Sequence, residues 1–250
     1  MNQLTQIFDW LKDHQETVDQ CIAEAGRHFL AEHGKASWFS YQARKAQEGL
    51  LRLSKGDDYA YDQPTSGFVY ALWYQGLRIN TSLTAIGNSL RTIQDGNLRI
   101  FDLGAGTGAL QIAVGLLVSA MKELNQSVPV SIRIVNIDTS PFMLEFNRTF
   151  LWPKFREAFG ECNLIQPEYE VTAWHSDHGD QNIGTTWVAA SYLFDYRENI
   201  EHLSDSFRGH LKALRPQRVF LSTAKAKARM LGQLNDALSK DGFKAVPLPI

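Results

Sequence analysis

The sequence predicts an α/β protein in which a doubly wound, mostly parallel sheet follows a helical region. Three patterns indicate this fold. Apolar residues recur at intervals of three and four in the first part of the chain, short apolar runs alternate with helical segments further on, and a glycine-rich turn follows the first of those runs. We therefore expect a helical cap over residues 1–95 and an α/β core over residues 96–250.

The first region contains three predicted helices. The first ends near Gly34, and its apolar face consists of Leu4, Ile7, Phe8, Leu11, Val18, Ile22, Ala25 and Phe29. The second is expected over residues 37–53 and the third over residues 68–93. Between them, residues 54–67 are rich in Gly, Asp, Pro and Ser, which is typical of a loop.

The second region alternates strands and helices. Strands are expected at residues 98–104, 130–138, 169–174, 186–194 and 218–224, and helices at 109–124, from Ser140 to a kink or end at Pro153, at 199–214 and at 225–239. Residues 243–250 are expected to begin a sixth strand. Because strand, helix and strand at this spacing connect through right-handed crossovers, the sheet should be parallel and covered on both faces.

The composition narrows the classes of function. The chain has 250 residues and a formal net charge of -2, so it has no overall basic field that would attract nucleic acid. Two cysteines, Cys21 and Cys162, are too few for a disulfide framework and indicate a reducing compartment. The polar N-terminus is not typical of a signal peptide, and Gln111 and Gly115 interrupt the longest apolar run. We expect a cytoplasmic protein without a membrane segment.

The turn from Asp102 to Gly108 is the strongest functional signal in the chain. Its alternating glycines, Gly104, Gly106 and Gly108, allow a tight bend and the close approach of a ligand, and the following helix presents unpaired N–H groups. The pattern also satisfies the GxGxxA form of the dinucleotide fingerprint. Asp102 would be unfavourable beside a pyrophosphate and suits an ammonium or sulfonium group better. Asp138 ends the next predicted strand, where it can accept hydrogen bonds from ribose hydroxyls.

Two segments, FDLGAGTGAL and IVNIDTSPFML, resemble the first two motifs of the class I S-adenosylmethionine-dependent methyltransferases. The resemblance covers about residues 98–250, and it implies a Rossmann-like methyltransferase sheet with S-adenosyl-L-methionine as the cofactor. It also implies that the three glycines line the methionine part of the cofactor. Asp102 would orient the amino group, Asp138 would bind both ribose hydroxyls, and Thr139 and Ser140 would lie beside the adenine.

The same resemblance implies roles for residues after the third and fourth strands. The acid or amide that contacts the adenine amine falls within HSD, where Asp177 is the first candidate and His175 the second. Ser191 and Tyr192 occupy the position that faces the methyl donor. If the acceptor needs a general base, the candidates are His175, Tyr192 and Asp195. Polar loops of this composition are usually solvated, so no metal site is predicted.

Departures from the family patterns limit the acceptor. ASYLFDY stands where methyltransferases of adenine or cytosine amino groups carry [DNS]PP[YFW], and no cysteine lies near the fourth strand. The sequence therefore favours a small organic acceptor with an oxygen or nitrogen nucleophile. Three alternatives remain open: an RNA methyltransferase or ribosome-assembly factor, a non-catalytic S-adenosylmethionine-binding protein, and a nicotinamide-dependent oxidoreductase.

The expected partners follow from the same reasoning. A small-molecule substrate is favoured over nucleic acid, and no membrane partner is expected. Sheets of the resembled family normally end in a hairpin that supplies a sixth and a seventh strand. A partner chain or a second copy could therefore add a strand at the incomplete C-terminal edge of the sheet.

Overall fold

The fold is seen in a computed structural model of the chain. The structure describes residues 3–54, 61–93, 96–172, 184–194, 197–223 and 228–244. Within these ranges, no helix is both long enough and apolar enough to cross a bilayer.

Five parallel strands form one sheet in the described part of the chain. They are β1 (Asn97–Leu103), β2 (Ser131–Asp138), β3 (Ile165–Val171), β4 (Thr185–Ser191) and β5 (Arg218–Ser222). Their order across the sheet is β3-β2-β1-β4-β5, and every neighbouring pair is parallel. The chain winds outward from β1 in both directions, which confirms the predicted doubly wound α/β fold.

Helices precede and connect the strands. They are α1 (Gln3–Asp13), α2 (Gln15–His33), α3 (Phe39–Ser54), α4 (Ser66–Leu90), α5 (Ala109–Glu123), α6 (Pro141–Phe146), α7 (Trp152–Ala158), α8 (Arg197–Leu214) and α9 (Ala228–Lys240). The single helix expected before Gly34 is two helices that meet at His14. There, the backbone N–H and the ring Nδ1 of His14 both contact the carbonyl of Trp10, at 3.1 and 2.8 Å.

The third strand differs from its predicted range. β3 begins at Ile165 rather than Tyr169 and ends at Val171. It contains Pro167, which lacks the N–H group that a ladder hydrogen bond needs. The proline is tolerated because β3 lies at the edge of the described sheet and pairs only with β2.

The segment after β2 begins as predicted. Ser140 is the N-cap of α6, and its hydroxyl accepts a 3.3 Å hydrogen bond from the amide of Met143. Pro153 does not end the helical segment, because a π-helical turn over Asn147–Leu151 precedes it and α7 continues from Trp152. The wider turn accommodates a residue that cannot donate the regular helical hydrogen bond.

Apolar side chains are buried in two clusters on opposite faces of the sheet. The larger cluster joins the N-terminal helices to α5 and one sheet face, and Leu50, Ile100 and Leu117 are among its members. The smaller one packs Phe207 of α8 against the other face. The N-terminal helices share a core with α5 and are packed onto the sheet layer, and the division into a cap and a core domain stays a prediction.

Candidate functional site

The glycine turn joins β1 to α5 at the carboxyl edge of the sheet. Gly104, Gly106 and Gly108 have φ values of 68°, 53° and 72°, a conformation that residues with a Cβ adopt only with strain. Gly108 has a further constraint, because a Cβ there would lie 2.0 Å from Nδ2 of Asn147. All three glycines are therefore needed for the shape of the turn, and Gly108 is also needed for its packing.

Main-chain N–H groups of the turn are already paired within the protein. The amides of Gly104 and Ala105 donate to the carbonyl of Ile137 at 2.9 and 3.0 Å. The amide of Gly106 donates to Oδ2 of Asp138 at 2.8 Å. Three donors that a bound anion could otherwise use are thus satisfied, one of them by a carboxylate.

Asp138, the last residue of β2, is held by backbone N–H groups. Its Oδ1 accepts from the amide of Ser140 at 2.8 Å, its Oδ2 accepts from Gly106, and the backbone of Thr139 also bonds to it. Burial raises the pKa of Asp138, and these hydrogen bonds oppose the rise. Because a carboxylate offers about four acceptor positions, roughly one remains for a ribose hydroxyl. Binding of both ribose hydroxyls would require one backbone donor to be released.

Asp102 is the second carboxyl group beside the turn and is only 2% exposed. Burial, and then the charge of Asp138, raise the pKa of Asp102 to about 8. No donor among the described residues stabilises its charged form. A cationic group on a ligand would supply that stabilisation.

A cavity of about 380 Å³, counted with the open solvent at its mouth, lies beside Asp102 where the order of the strands reverses between β1 and β4. Its walls come from α4, the glycine turn with the start of α5, and the end of β4: Tyr70, Arg78, Ser82, Asp102, Gly104, Ala105, Gly106, Thr107, Ala109, Leu110, Ser191 and Tyr192. Ligands of open α/β sheets bind at this reversal point. The cavity brings together Asp102, Gly104, Gly106, Ser191 and Tyr192, whereas Gly108 packs behind the turn, and the roles of these residues stay predictions.

Arg78 of α4 lies in a group of tyrosines at this cavity. Its Cζ is 3.2 Å from the ring centre of Tyr192 and 5.5 Å from that of Tyr74, and its Nε donates to the hydroxyl of Tyr70 at 3.1 Å. Burial lowers the pKa of Arg78, but the oxygens of Tyr70 and Tyr192 outweigh that effect and the net shift is upward. Sequence reasoning missed Arg78 and Tyr70. The only available signal was the four-residue spacing of polar side chains along the predicted helix.

Tyr192, directly after β4, has a φ of 62°, which is strained for a residue with a large side chain. Its amide donates to the carbonyl of Ser222 at 2.7 Å, and its hydroxyl shares a 3.2 Å hydrogen bond with Oγ1 of Thr81. With Arg78 over one face, the ring is fixed from several sides. This fixed geometry keeps the aromatic face and the hydroxyl in the wall of the cavity.

A buried polar pair fastens α4 to the glycine turn. Oγ1 of Thr107 donates to Oε1 of Gln75 at 2.5 Å, and Nε2 of Gln75 donates to the carbonyl of Thr107 at 3.3 Å. Below the turn, Oε1 of Gln111 accepts from the side-chain amides of Asn136 and Asn147 at 2.9 and 3.1 Å. The N-terminal region and β2 are thereby connected to the turn from two sides.

The other predicted site residues do not line the cavity or lie outside the described residues. The hydroxyl of Ser140 is engaged with the carbonyl of Tyr61 and the amide of Met143, and Thr139 is exposed. His175, Asp177 and Asp195 lie outside the described residues, so their roles stay predictions. Within the described ranges, no group of three His, Cys, Asp or Glu side chains could hold a metal ion.

A second cleft, about 600 Å³ with its open solvent, lies between α1, α2, α4 and α5. Lys12 is the one ionisable residue among the described residues that line it, and the others are mainly apolar, including Leu11, Ile79 and Leu83. It is larger than the cavity at the glycine turn, but it lacks the paired polar groups that chemistry requires.

No family model matches the sequence, and no curated protein matches it. Among solved structures, the chain is similar to a candidate S-adenosyl-L-methionine-dependent methyltransferase from Methanococcus maripaludis, with 15% identity, 74% of each chain covered and a TM-score of 0.42. It is also similar to a candidate class I enzyme of the same kind from Listeria monocytogenes, with 11% identity, 95% of this chain and 79% of that chain covered, and a TM-score of 0.42. A loganic acid methyltransferase with SAH has 12% identity and a TM-score of 0.41, and the match covers 65% of this chain and 55% of that chain.

Proposed function

We propose that this chain is an S-adenosylmethionine-dependent methyltransferase that acts on a small organic acceptor with an oxygen or nitrogen nucleophile. The observation that carries the proposal is the pair of carboxyl groups at the glycine turn. Asp102 is buried in the cavity wall without a donor, and Asp138 is bonded to the amide of Gly106. Asp138 is held by backbone donors, and Asp102 gives up its proton most readily when a cation lies beside it, which suits a ligand with an ammonium or sulfonium centre.

The same geometry disfavours a dinucleotide. A pyrophosphate at a glycine turn needs free N–H groups and a positive field. Here the amides of Gly104, Ala105 and Gly106 are already paired, and the partner of Gly106 is the carboxylate of Asp138. A pyrophosphate would have to displace that carboxylate and remain beside its charge. The nicotinamide-dependent alternative is therefore the weaker one.

The residues of the cavity can be assigned roles in holding the cofactor. Asp102 would bind the amino group, and Gly104 and Gly106 would let the amino-acid part lie against the main chain. Asp138 would reach a ribose hydroxyl with its remaining acceptor position, and Thr139, Ser140 and Asp177 or His175 would lie toward the adenine. When bound, the cofactor supplies a methyl group activated by its attachment to a sulfonium.

For this transfer, the protein mainly has to align the reactants and exclude water. In such a transfer, the acceptor oxygen or nitrogen would bond to the methyl carbon as the carbon–sulfur bond broke, the electron pair would stay on sulfur, and the acceptor would lose its proton. Holding the reactants in line can lower the barrier by about 7–11 kcal/mol. Tyr192 and side chains of α4 line the cavity, where they would exclude water from the reactants. Tyr192, His175 and Asp195 are the proposed bases where the acceptor proton must be removed.

The net charge of -2 supports a small acceptor over nucleic acid. Cys21 and Cys162 are both free and buried, which supports a reducing compartment such as the cytoplasm. Addition of a strand by a partner chain beside β5 remains part of the proposal, since residues 245–250 lie outside the described residues.

The test is ligand binding followed by a product assay. S-adenosylhomocysteine should raise the melting temperature, whereas NAD and NADP should not; a ligand at about 100 times its Kd adds roughly 2.7 kcal/mol of stability. Mass spectrometry should then detect S-adenosylhomocysteine formed from S-adenosylmethionine in the presence of a competent acceptor. Stabilisation by NAD alone would contradict the proposal. Tight binding without transfer to any acceptor would instead identify a non-catalytic binding protein.

A further inference from the structure

Arg78 brings to the cavity a positive charge that no described carboxylate neutralises. The groups that act on its charge are Tyr70 and Tyr192, and no acid is among them. Other partly exposed arginines differ in this respect: Arg133 and Arg208 pair with Glu168 and Asp241. An arginine that is partly buried beside a ligand cavity and lacks an acid suggests that the ligand supplies the anion.

The guanidinium is also held in a fixed orientation. Its Cζ lies 3.2 Å from the ring centre of Tyr192, and its Nε donates a hydrogen bond to the hydroxyl of Tyr70. Tyr192 is in turn fixed by Ser222 and Thr81. Because a guanidinium has five N–H donors, most of them remain for a ligand. A planar fork held in this way matches the two oxygens of a carboxylate.

We propose that Arg78 binds a carboxylate of the methyl acceptor, so that the substrates of this site are small organic acids. The inference rests on the proposed methyltransferase function, which places Tyr192 toward the transferred methyl group. Arg78 lies against Tyr192, on the wall made by α4 and the end of β4. The positive charge would therefore orient the acceptor from its acid end.

The alternative is that Arg78 binds the carboxylate of the cofactor's own amino-acid part. In an amino acid, the carboxylate and the amino group are attached to one carbon, and Asp102 is the proposed partner of the amino group. Arg78 lies instead against Tyr192, on the side of the cavity that the proposed function assigns to the methyl acceptor. This position favours the acceptor as the source of the anion.

The experiment compares acids with their uncharged amides. Benzoate and benzamide, and hexanoate and hexanamide, are titrated into the protein saturated with S-adenosylhomocysteine. In the native protein, at least one acid should bind on the order of tenfold more tightly than its amide. Arg78→Gln should abolish that preference while leaving S-adenosylhomocysteine affinity within about twofold. A native protein without any preference for the acids would overturn the proposal.

Two further variants control for charge and folding. Arg44→Gln removes an arginine that is 66% exposed and lies 3.8 Å from Glu48 on α3, so it should keep the preference for acids. Arg78→Lys keeps the charge without the planar fork and should retain part of the preference. Circular dichroism and thermal melts establish that each variant is folded. Equal loss of acid preference in Arg44→Gln would show a general charge effect and contradict the proposal.

5′-Methylthioadenosine, which lacks the amino-acid part, separates the two sources of the anion. If Arg78→Gln weakens S-adenosylhomocysteine by roughly tenfold and leaves methylthioadenosine unchanged, Arg78 binds the cofactor carboxylate and the proposal is wrong. If the native protein binds neither nucleoside, the proposed function fails. The acid and amide titrations without cofactor then still decide whether Arg78 forms an anion site.

Discussion

The amide of Gly106 donates a 2.8 Å hydrogen bond to Oδ2 of Asp138, so an acid at the end of β2 holds the turn that follows β1. The other carboxylate oxygen of Asp138 accepts from the amide of Ser140 at 2.8 Å. A single carboxylate thereby shapes both loops at the edge of the proposed cofactor site. Stability and ligand affinity should consequently depend on the same side chain.

Replacing Asp138 with alanine should reduce both properties. Asp138→Ala leaves the amides of Gly106 and Ser140 without their acceptor, which should lower the free energy of unfolding by about 1–3 kcal/mol. S-adenosylhomocysteine affinity should fall by a similar amount, about 1–3 kcal/mol. Urea unfolding and isothermal titration measure the two effects, and Glu157→Ala at a 75% exposed acid is the matched control. Unchanged affinity in a folded Asp138→Ala protein would show that the ribose assignment is wrong.

Gly106 is the turn residue at which a small side chain is most informative. Its φ of 53° makes any Cβ strained, and a Cβ there would lie 3.4 Å from Cε of Met143. Gly106→Ala should therefore cost about 1–2 kcal/mol of stability and weaken S-adenosylhomocysteine, and Gly106→Val should abolish binding. Gly209→Ala is the control, because it lies in α8 with nothing within 4 Å of the added Cβ. Full binding by a folded Gly106→Val protein would show that the turn is purely structural.

Asp102 should make stability depend on pH. Its pKa is raised to about 8 in the folded protein from its ordinary value of 3.8, so between these values the folded state keeps a proton that the unfolded chain has lost. The contribution of Asp102 to stability therefore falls as the pH rises from about 4 to about 8. Asp102→Asn cannot ionise, so its unfolding free energy relative to the native protein should increase between about pH 5 and about pH 8. Urea unfolding across this range measures the difference.

The same carboxyl group provides a second measurement. If Asp102 binds the ligand's ammonium, S-adenosylhomocysteine binding near neutral pH should release up to about one proton. Titration calorimetry in buffers of different ionisation enthalpy detects that release, and Asp102→Asn should abolish it. An equal release by the native and variant proteins would place the titrating group elsewhere. Asp205→Asn, at a 92% exposed acid, is the control for both measurements.

Local signals explain what could be predicted from the sequence. The glycines, Asp102 and Asp138 stand at the ends of strands with apolar runs before them, and the carboxyl ends of parallel strands meet at one edge of the sheet. That rule is enough to bring the two acids and the turn together before any coordinates are known. The ends of β3 were harder to predict from the sequence, because Pro167 is tolerated only where the strand lies at the edge of the sheet.

The contribution of α4 could not be predicted in the same way. The spacing of its residues predicts a helix, but not which face meets the glycine turn, since that depends on packing between distant segments. Trp73 of this helix is 48% exposed, whereas Arg78 faces the cavity. The burial of Gln75 beside Thr107 likewise became visible only with the packing of the helix.

The pair formed by Gln75 and Thr107 should couple the N-terminal region to ligand binding. Both residues are at most 1% exposed; the hydroxyl of Thr107 donates to Oε1 of Gln75, and Nε2 of Gln75 donates to the main-chain carbonyl of Thr107. Removing one partner leaves buried polar groups unpaired, so Gln75→Leu and Thr107→Val should each cost about 1–3 kcal/mol. The double variant should cost less than the sum of the two, with an interaction energy of about 0.5–3 kcal/mol in urea unfolding.

If α4 holds the turn in its binding shape, folded Gln75→Leu should also bind S-adenosylhomocysteine more weakly. Thr84→Val, on the exposed face of α4, is the control. Strictly additive costs together with unchanged affinity would show that α4 packs beside the turn without positioning it.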